Sequence, residues 1–276
     1  MRIDAHQHYW RLDRGDYGWL TPELGPIHRD FLPSDLAPIL ARHGVDGTVL
    51  VQAAPTAAET AYLLGLAADH PSVLGVVGWT DFEAADAPAE IERLAARPAL
   101  VGLRPMIQDI GDDEWVARPA LDPAFGALAE AGLVFDALVL PRHLGPLLAR
   151  MARSPEVRVV IDHGAKPLIA DGAMDGWAED VTRLARETDA ACKLSGLVTE
   201  AGEGWSVEAL RPYTDHLLDV FGPDRLLWGS DWPVCTLAAT YDGWAEATDV
   251  LLAGLSGAER AAVQGGNAAR VYGVGR

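Results

Sequence analysis

The chain has 276 residues, of which 49% are hydrophobic and 22% charged, which suits one globular domain with a sizeable core. Lysine and arginine number 22 against 40 aspartates and glutamates, so the formal net charge is −18. Because such a surface repels phosphate groups, we expect neither nucleic acid nor an anionic membrane as a partner.

The cysteine content and the lengths of the apolar runs indicate the cellular compartment in which the protein is expected. The two cysteines, Cys192 and Cys235, are too few for a disulfide framework or a cysteine zinc cluster. The first residues lack the long apolar stretch of a signal peptide. No run approaches the roughly 18 apolar residues of a membrane span. We therefore expect a cytoplasmic protein.

Eight short apolar runs recur along the chain and are separated by longer stretches with helical spacing. Their apolar residues are continuous rather than alternating, which is typical of parallel strands buried on both faces. The predicted strands are Arg2–His8, Gly47–Ala53, Val73–Trp79, Ala99–Pro105, Leu133–Val139, Val157–Gly164, Ala190–Gly196 and Arg225–Pro233.

The stretches with helical spacing supply eight predicted helices, with Gly132 as a C-cap and Asn267 as an N-cap. They are Leu36–Gly44, Ala57–Pro71, Ala87–Arg97, Pro123–Gly132, Leu144–Arg153, Trp177–Glu187, Val207–Gly222 and Gly266–Gly273. Strands that alternate with helices predict an α/β protein, a (β/α)8 TIM barrel in one domain over residues 1–276. A doubly wound sheet fits less well, because no Gly-x-Gly-x-x-Gly follows any strand.

In such a barrel the active site forms at the carboxyl ends of the strands. The polar and aromatic residues of this chain concentrate at those ends: His6, His8, Gln52, Trp79, Arg104, Asp136, Asp162, His163, Lys166, Lys193, Ser195, Asp231 and Trp232. Two longer loops, 11–32 and 105–123, leave the same end, and we expect them to form the walls of a pocket.

Several of these residues could form a metal site. Alternation along the first strand predicts that Asp4, His6 and His8 share one face. Two of these histidines, with His163 and Asp231, offer three imidazoles and a carboxylate, the donors that zinc prefers. One divalent metal, zinc first, is therefore expected, because metal-bound water becomes a nucleophile and an aspartate can take its proton. Each residue alone could equally cap a helix or fill the core.

Six segments of the sequence resemble the amidohydrolase superfamily, and more narrowly its amidohydrolase-2 group of TIM-barrel hydrolases. They are "IDAHQHYW", "GLRP", "VVIDHGAKP", "KLSGL", "GSDWPV" and "GNAARVYG", and they span nearly the whole chain. That group includes lactonases of sugar acids and of 2-pyrone-4,6-dicarboxylate. The resemblance implies hydrolysis of a small lactone, of the L-fucono or L-rhamnono type, to the hydroxy acid.

The resemblance also implies roles for individual residues. Asp231 matches the general base that activates water, and His163 the histidine of the sixth strand. Arg104, Lys193 and Lys166 are placed to polarise or hold the lactone carbonyl. We expect the substrate to contact Trp79, Lys166, Asp136 and Trp232, and the metal to be held by His6, His8, His163 and Asp231.

Departures from the family pattern keep alternatives open. The fourth and fifth strands offer Arg104 and Asp136 in place of a bridging lysine or glutamate, so a two-metal site is not expected. Some lactonases of the group work without a metal, and the same histidines can orient water by hydrogen bonds, so a metal requirement stays open. The chain can be a monomer or a homo-oligomer.

Three other functions compete with the sugar lactonase. A pyrone-dicarboxylate lactonase would need several arginines near the pocket, and the strand ends offer Arg104 and the nearby Arg142. A metal-dependent decarboxylase of the same superfamily would release carbon dioxide. A ligand-binding barrel would bind a lactone without opening it.

Overall fold

The computed structural model describes residues 1–275 and shows eight parallel strands in one sheet, ordered as in the chain. The strands are β1 (Ile3–Gln7), β2 (Gly47–Val51), β3 (Val73–Gly78), β4 (Leu100–Leu103), β5 (Val134–Ala137), β6 (Arg158–Ile161), β7 (Ala191–Leu194) and β8 (Leu226–Trp228). All eight predicted strands are confirmed. Each is shorter than predicted, because residues at the predicted ends belong to the connecting loops.

The sheet closes on itself where β1 meets the residues that follow β8. The backbone N–H of His8 donates to the carbonyl of Trp232 at 2.7 Å, and the N–H of Asp231 donates to the carbonyl of His6 at 2.8 Å. These hydrogen bonds complete a (β/α)8 barrel, as predicted. They also bring the His-x-His motif of β1 next to the Ser-Asp-Trp motif that follows β8, and this junction is the seam of the barrel.

Helices surround the barrel. They are α1 (Pro33–His43), α2 (Ala57–Asp69), α3 (Ala87–Ala95), α4 (Asp122–Glu130), α5 (Leu144–Arg153), α6 (Trp177–Glu187), α7 (Leu197–Ala201), α8 (Val207–Phe221), α9 (Tyr241–Leu251), α10 (Gly257–Ala261) and α11 (Asn267–Tyr272). The eight predicted helices are present. Helix α1 begins three residues early, because Pro33 is well suited to the first helical position.

Helix α9, which the sequence pattern does not predict, is the outer helix that follows β8. Its segment contains Gly243, a poor helix former, and tertiary contacts decide the outcome. The fully buried indole of Trp244 donates to the carbonyl of Gly229 at 2.9 Å, and Thr248 Oγ1 accepts from the Trp228 indole at 3.1 Å.

The C-terminal helix α11 lies at the opposite end of the barrel from the strand carboxyl ends. There Ala268, Tyr272 and Val274 pack with Ile3 and other residues of the lower barrel core. The prediction that Asn267 is an N-cap is wrong. Its backbone is already helical, and its side-chain amide donates to the carbonyl of Leu226 at 2.8 Å.

The predicted shared face of Asp4 and His6 is also wrong. The register of β1 against β2 shifts between Asp4 and Gln7, which breaks the strict alternation of side chains. Asp4 accepts hydrogen bonds from the backbone of Ser230 at 2.8 Å and from the Tyr241 hydroxyl of α9 at 3.3 Å. It is therefore a buried structural carboxyl between the barrel and its outer helix.

The loop between β4 and α4 is fixed by Arg150, a buried residue of α5. Its guanidinium donates to the carbonyls of Val116 at 2.8 Å and Arg118 at 2.5 Å, and to Asp122 at 2.6 Å. It also lies 4.4 Å from the centroid of the Phe125 ring. None of the helices within residues 1–275 combines the length and apolarity needed to cross a bilayer.

We expect Arg150→Met to lower the free energy of unfolding by about 2–3 kcal/mol, because it leaves backbone carbonyls without their charged donor. Arg153→Met is the matched control. Arg153 pairs with the same Asp122, but 44% of its side chain is exposed. The decrease in the free energy of unfolding caused by Arg153→Met should therefore be clearly smaller. Urea unfolding measures both. Equal losses would contradict this account of the loop.

Candidate active site

Four predicted side chains meet at the carboxyl end of the barrel. The Oδ1 atom of Asp231 lies 3.2 Å from Nε2 of His8, 3.7 Å from Nε2 of His6 and 3.9 Å from Nε2 of His163. No more than 4% of any of these residues is exposed. Three imidazole nitrogens therefore face one buried carboxylate oxygen.

In His8 and His163, Nε2 faces Asp231 and Nδ1, the second ring nitrogen, contacts another polar group. His8 Nδ1 donates to the carbonyl of Val51 at 2.8 Å, and its Nε2 is the ring nitrogen that faces Asp231. His163 Nδ1 lies 2.9 Å from Ser195 Oγ. Such contacts fix the orientation of an imidazole and, in metal sites, aim its free nitrogen at the ion.

His6 is held by charged groups inside the barrel. Its Nδ1 lies 3.3 Å from Asp162 Oδ1 and 3.1 Å from Lys193 Nζ, and its Nε2 lies 3.3 Å from Arg104 Nη1. The same Arg104 nitrogen donates to Asp162 Oδ2 at 3.0 Å. Lys193 also donates to Asp136 at 2.5 Å. Arg104 thus lies on the Nε2 side of His6, beside the cluster around Asp231, whereas Lys193 lies on the Nδ1 side.

The pKa shifts suit a cation. Burial lowers the pKa of His163 to about 4, against the pull of Asp231. Burial, with the charge of Lys193, also lowers the pKa of His6 well below its usual range. Burial alone would raise the pKa of Asp231, but the imidazoles, His163 first, hold it below its usual range. The directions of these pKa shifts favour deprotonated imidazoles at His6 and His163 and an ionised carboxylate at Asp231, which are the forms that bind a cation.

The local backbone shows how tightly the site is specified. His163 and Asp231 adopt φ values of 55° and 57°, in the left-handed region that costs non-glycine residues roughly 1–3 kcal/mol. Two glycines make room for the imidazoles. A Cβ on Gly229 would lie 2.7 Å from the Cβ of His6, and one on Gly196 would lie 2.6 Å from His163 Nδ1.

These residues fit a divalent metal. One donor atom each from His6, His163 and Asp231 lies within 4.8 Å of the others. In residues 1–275 the ion-pair neighbours of Asp231 are imidazoles, so no lysine or arginine neutralises its charge directly. His8 contacts Asp231 but lies outside this three-residue group, so its role as a ligand stays a prediction.

The predicted substrate-binding residues are placed differently from one another. Lys166 lies at the rim, where its Nζ is 3.4 Å from Glu200 Oε1 and a fifth of its side chain is exposed. Trp79 is half-buried. Trp232 is buried, with its ring centroid 5.1 Å from that of Phe31.

Asp136 lies deeper than the other three. Its two carboxylate oxygens each lie 2.9 Å from the Tyr272 hydroxyl, which has a single proton to donate, and one of them accepts from Lys193. Burial raises its pKa to about 6 despite the charge of Lys193. Contact between Asp136 and substrate stays a prediction, and these contacts favour a positioning role.

Sequence reasoning missed two participants. Glu200 lies in none of the six segments that carry the resemblance, and Tyr272 lies in the segment GNAARVYG, which gives no sign of its contact with Asp136. Trp19, in the predicted wall loop, is 37% exposed and its indole donates to the carbonyl of Ala53 at 2.7 Å. Trp19 was not missed, because the sequence places it in the loop 11–32 that is predicted to form a wall of the pocket.

We expect Gly229→Ala to weaken zinc binding by about tenfold or more, because the new methyl group displaces His6. The matched control is Gly126→Ala in α4, where a Cβ meets no heavy atom within 4 Å. Competition with a chromophoric chelator measures the zinc dissociation constant of each variant. Unchanged zinc affinity in Gly229→Ala would contradict the placement of His6 at the metal.

The chain is similar over its full length to several known proteins. The chain is 47% identical to an L-fucono-1,5-lactonase of Burkholderia ambifaria, over 100% of this chain and 97% of that protein. It is 40% identical to an L-fucono-1,5-lactonase of Burkholderia multivorans, over 99% and 96%. The chain is also similar to a crystal structure of a Burkholderia multivorans amidohydrolase with bound zinc. The two are 39% identical, the match covers 100% of each chain, and they superimpose with a TM-score of 0.93.

A protein-family model also matches this chain. The model described as Amidohydrolase matches residues 3–274, nearly the whole chain. The match includes every strand of the barrel and the four clustered residues at its carboxyl end. The chain therefore belongs to the amidohydrolase family.

Proposed function

We propose that this protein is a lactone hydrolase that opens a sugar-acid lactone, of the L-fucono-1,5-lactone type, to the hydroxy acid. The observation that carries the proposal is the buried cluster in which three imidazole nitrogens face Asp231 at the mouth of the barrel. Two relatives named as L-fucono-1,5-lactonases, similar over the full chain, support this substrate class.

Asp231 is the proposed general base. Its low pKa keeps it ionised, and its position among the imidazoles places it where a water molecule would be held. Asp231 accepts a proton as the water oxygen bonds to the lactone carbonyl carbon. When the bond from that carbon to the ring oxygen breaks, the proton passes to the ring oxygen. The product is a hydroxy acid, which ionises near neutral pH.

Arg104 is placed to stabilise the negative charge that develops on the carbonyl oxygen. Its guanidinium lies 3.3 Å from His6 and is held by Asp162 and the carbonyl of Gln52. A fixed cation in a buried site lowers the energy of an oxyanion without reorganising during the reaction. Lys193 is fully buried and already bonded, so it is not proposed to touch the substrate.

A divalent metal, with zinc the first candidate, would be held by His6, His163 and Asp231, with His8 beside them. When bound, it supplies Lewis acidity, which acidifies water and polarises a carbonyl. The zinc-bound amidohydrolase structure at 39% identity supports this choice of metal.

The rim of the site suits a ring with hydroxyl groups. Lys166 and Glu200 form a half-buried ion pair that offers both donors and acceptors. Trp19 adds an exposed aromatic face in the loop after β1. A dicarboxylated pyrone would need free cations here, but Lys166 is paired with Glu200, and Arg142 is paired with Asp113 at 2.7 Å. The sugar lactone is therefore favoured.

We further propose that the enzyme acts in the cytoplasm on a small lactone, without a nucleic acid or membrane partner. Cys192 and Cys235 are both buried and free, as in a reducing compartment. The net charge of −18 disfavours anionic partners.

Asp231→Asn should lower kcat by about 10²–10⁴-fold, because the amide cannot accept the proton of the attacking water. Proton release from L-fucono-1,5-lactone, corrected for the uncatalysed reaction, measures this with zinc-loaded and chelator-treated protein. Asp224→Asn, at an exposed position before β8, is the matched control and should behave as wild type. If wild type opens no sugar lactone in either state, the proposed function fails, and carbon dioxide release from aromatic acids would favour a decarboxylase.

Lys166→Met should raise KM for L-fucono-1,5-lactone by about tenfold, because a charged donor to a hydroxyl group is lost. KM for an unsubstituted lactone of the same ring size should change little. Arg142→Met, which removes an exposed cation paired with Asp113, is the control and should affect neither substrate. An equal rise in KM for both lactones in Lys166→Met would show that Lys166 does not bind the hydroxyl groups of the substrate.

A further inference from the structure

A chain of buried polar contacts leads from His6 to the far end of the barrel. Lys193 Nζ lies 3.1 Å from His6 Nδ1 and donates to Asp136 Oδ2 at 2.5 Å. The Tyr272 hydroxyl donates to Asp136, with both carboxylate oxygens at 2.9 Å. His6, Lys193 and Asp136 are fully buried, and Tyr272 is 6% exposed. The contacts are therefore shielded from water along their whole length.

The last residue of this chain of contacts belongs to the C-terminal segment, residues 262–275, which covers the amino-terminal end of the barrel. The backbone of this segment approaches β1 so closely that a Cβ on Gly265 would lie 2.5 Å from the carbonyl oxygen of Met1 and 2.7 Å from the nitrogen of Ile3. Tyr272 and Val274 pack into the lower core with Ile3. Seating of the segment thus sets where the Tyr272 hydroxyl can reach.

Lys193 has little freedom in this arrangement. Its ammonium group lies 2.5 Å from Asp136 and 3.0 Å from Asp162, so it forms ion pairs with two buried carboxylates, and it lies 3.1 Å from His6 Nδ1. Asp136 in turn is fixed by Tyr272 on its other side. Moving Lys193 would separate it from two buried carboxylates, which is costly in a low-dielectric interior.

We propose that Tyr272 and Lys193 are positioning residues for the metal site. The seated C-terminal segment fixes Asp136 through Tyr272, and Asp136 fixes Lys193. Lys193 in turn fixes Asp162, whose Oδ1 lies 3.3 Å from His6 Nδ1 and accepts from that nitrogen when His6 Nε2 binds a metal. Neither positioning residue touches substrate. This inference rests on the metal site of the proposed function, and it extends the support of that site to the opposite end of the barrel.

The test measures zinc binding by the full chain in the absence of substrate. Lys193→Met should weaken zinc binding by about 10–100-fold, the range found when a group supporting a metal ligand is removed. Tyr272→Phe removes one oxygen and no charge, and it acts one step further away, so about threefold to tenfold is expected. Competition with a chromophoric chelator gives the dissociation constants, and nuclear magnetic resonance of the zinc-free protein reports the His6 imidazole directly.

Tyr213→Phe is the matched control. Tyr213 is also buried, and its hydroxyl donates one hydrogen bond, to the carbonyl of Ala173 at 3.2 Å, outside the chain of contacts. Its zinc affinity and His6 resonances should match wild type. If Lys193→Met does not fold, the zinc affinity of Tyr272→Phe, compared with that of Tyr213→Phe, still tests the proposal.

Three outcomes would overturn the inference. These are wild-type zinc affinity in Tyr272→Phe, equal weakening in Tyr213→Phe, and a wild-type protein that binds no zinc. Lactone hydrolysis is measured separately on the same samples. A protein that shows the expected zinc differences but opens no sugar lactone would overturn the proposed function and leave the positioning roles of Tyr272 and Lys193 standing.

Discussion

Closure of the barrel between β1 and the residues after β8 is the constraint on which the site depends. Two backbone hydrogen bonds, from His8 to Trp232 and from Asp231 to His6, join segments more than 220 residues apart in the sequence. Without that seam, Asp231 would have no fixed relation to His6 and His8. The same hydrogen bonds that complete the fold therefore assemble the chemistry.

The site combines an exposed rim with a supported interior. At the rim, the ion pair of Lys166 and Glu200 is half-buried and remains in contact with solvent. Beneath it, His6 rests on Asp162 and Lys193, which are fully buried. The proposed substrate contacts thus lie at the mouth of the barrel and the proposed positioning residues in its core, where a low dielectric makes misplacement of a charge costly.

Backbone strain marks the same region. Non-glycine residues with positive φ occur in residues 1–275 at His163, Ala165, Lys166 and Asp231, all in the loops after β6 and β8. Such conformations persist only where surrounding contacts hold them. Here the Ser195 hydroxyl holds His163, and the backbone carbonyl of His6 holds Asp231.

The sequence by itself determined the eight strands, the barrel and the convergence of His6, His8, His163 and Asp231, because continuous apolar runs and strand-end polar residues are local patterns. Only the tertiary structure decided helix α9, where the buried Trp244 outweighs weak helix formers. It also decided that Asp4 leaves the face of His6, because the register shift in β1 depends on β2. The partnership of Tyr272 with Asp136 and that of Glu200 with Lys166 carry no local signal, because each joins residues that are distant in sequence and meet only when the barrel is closed.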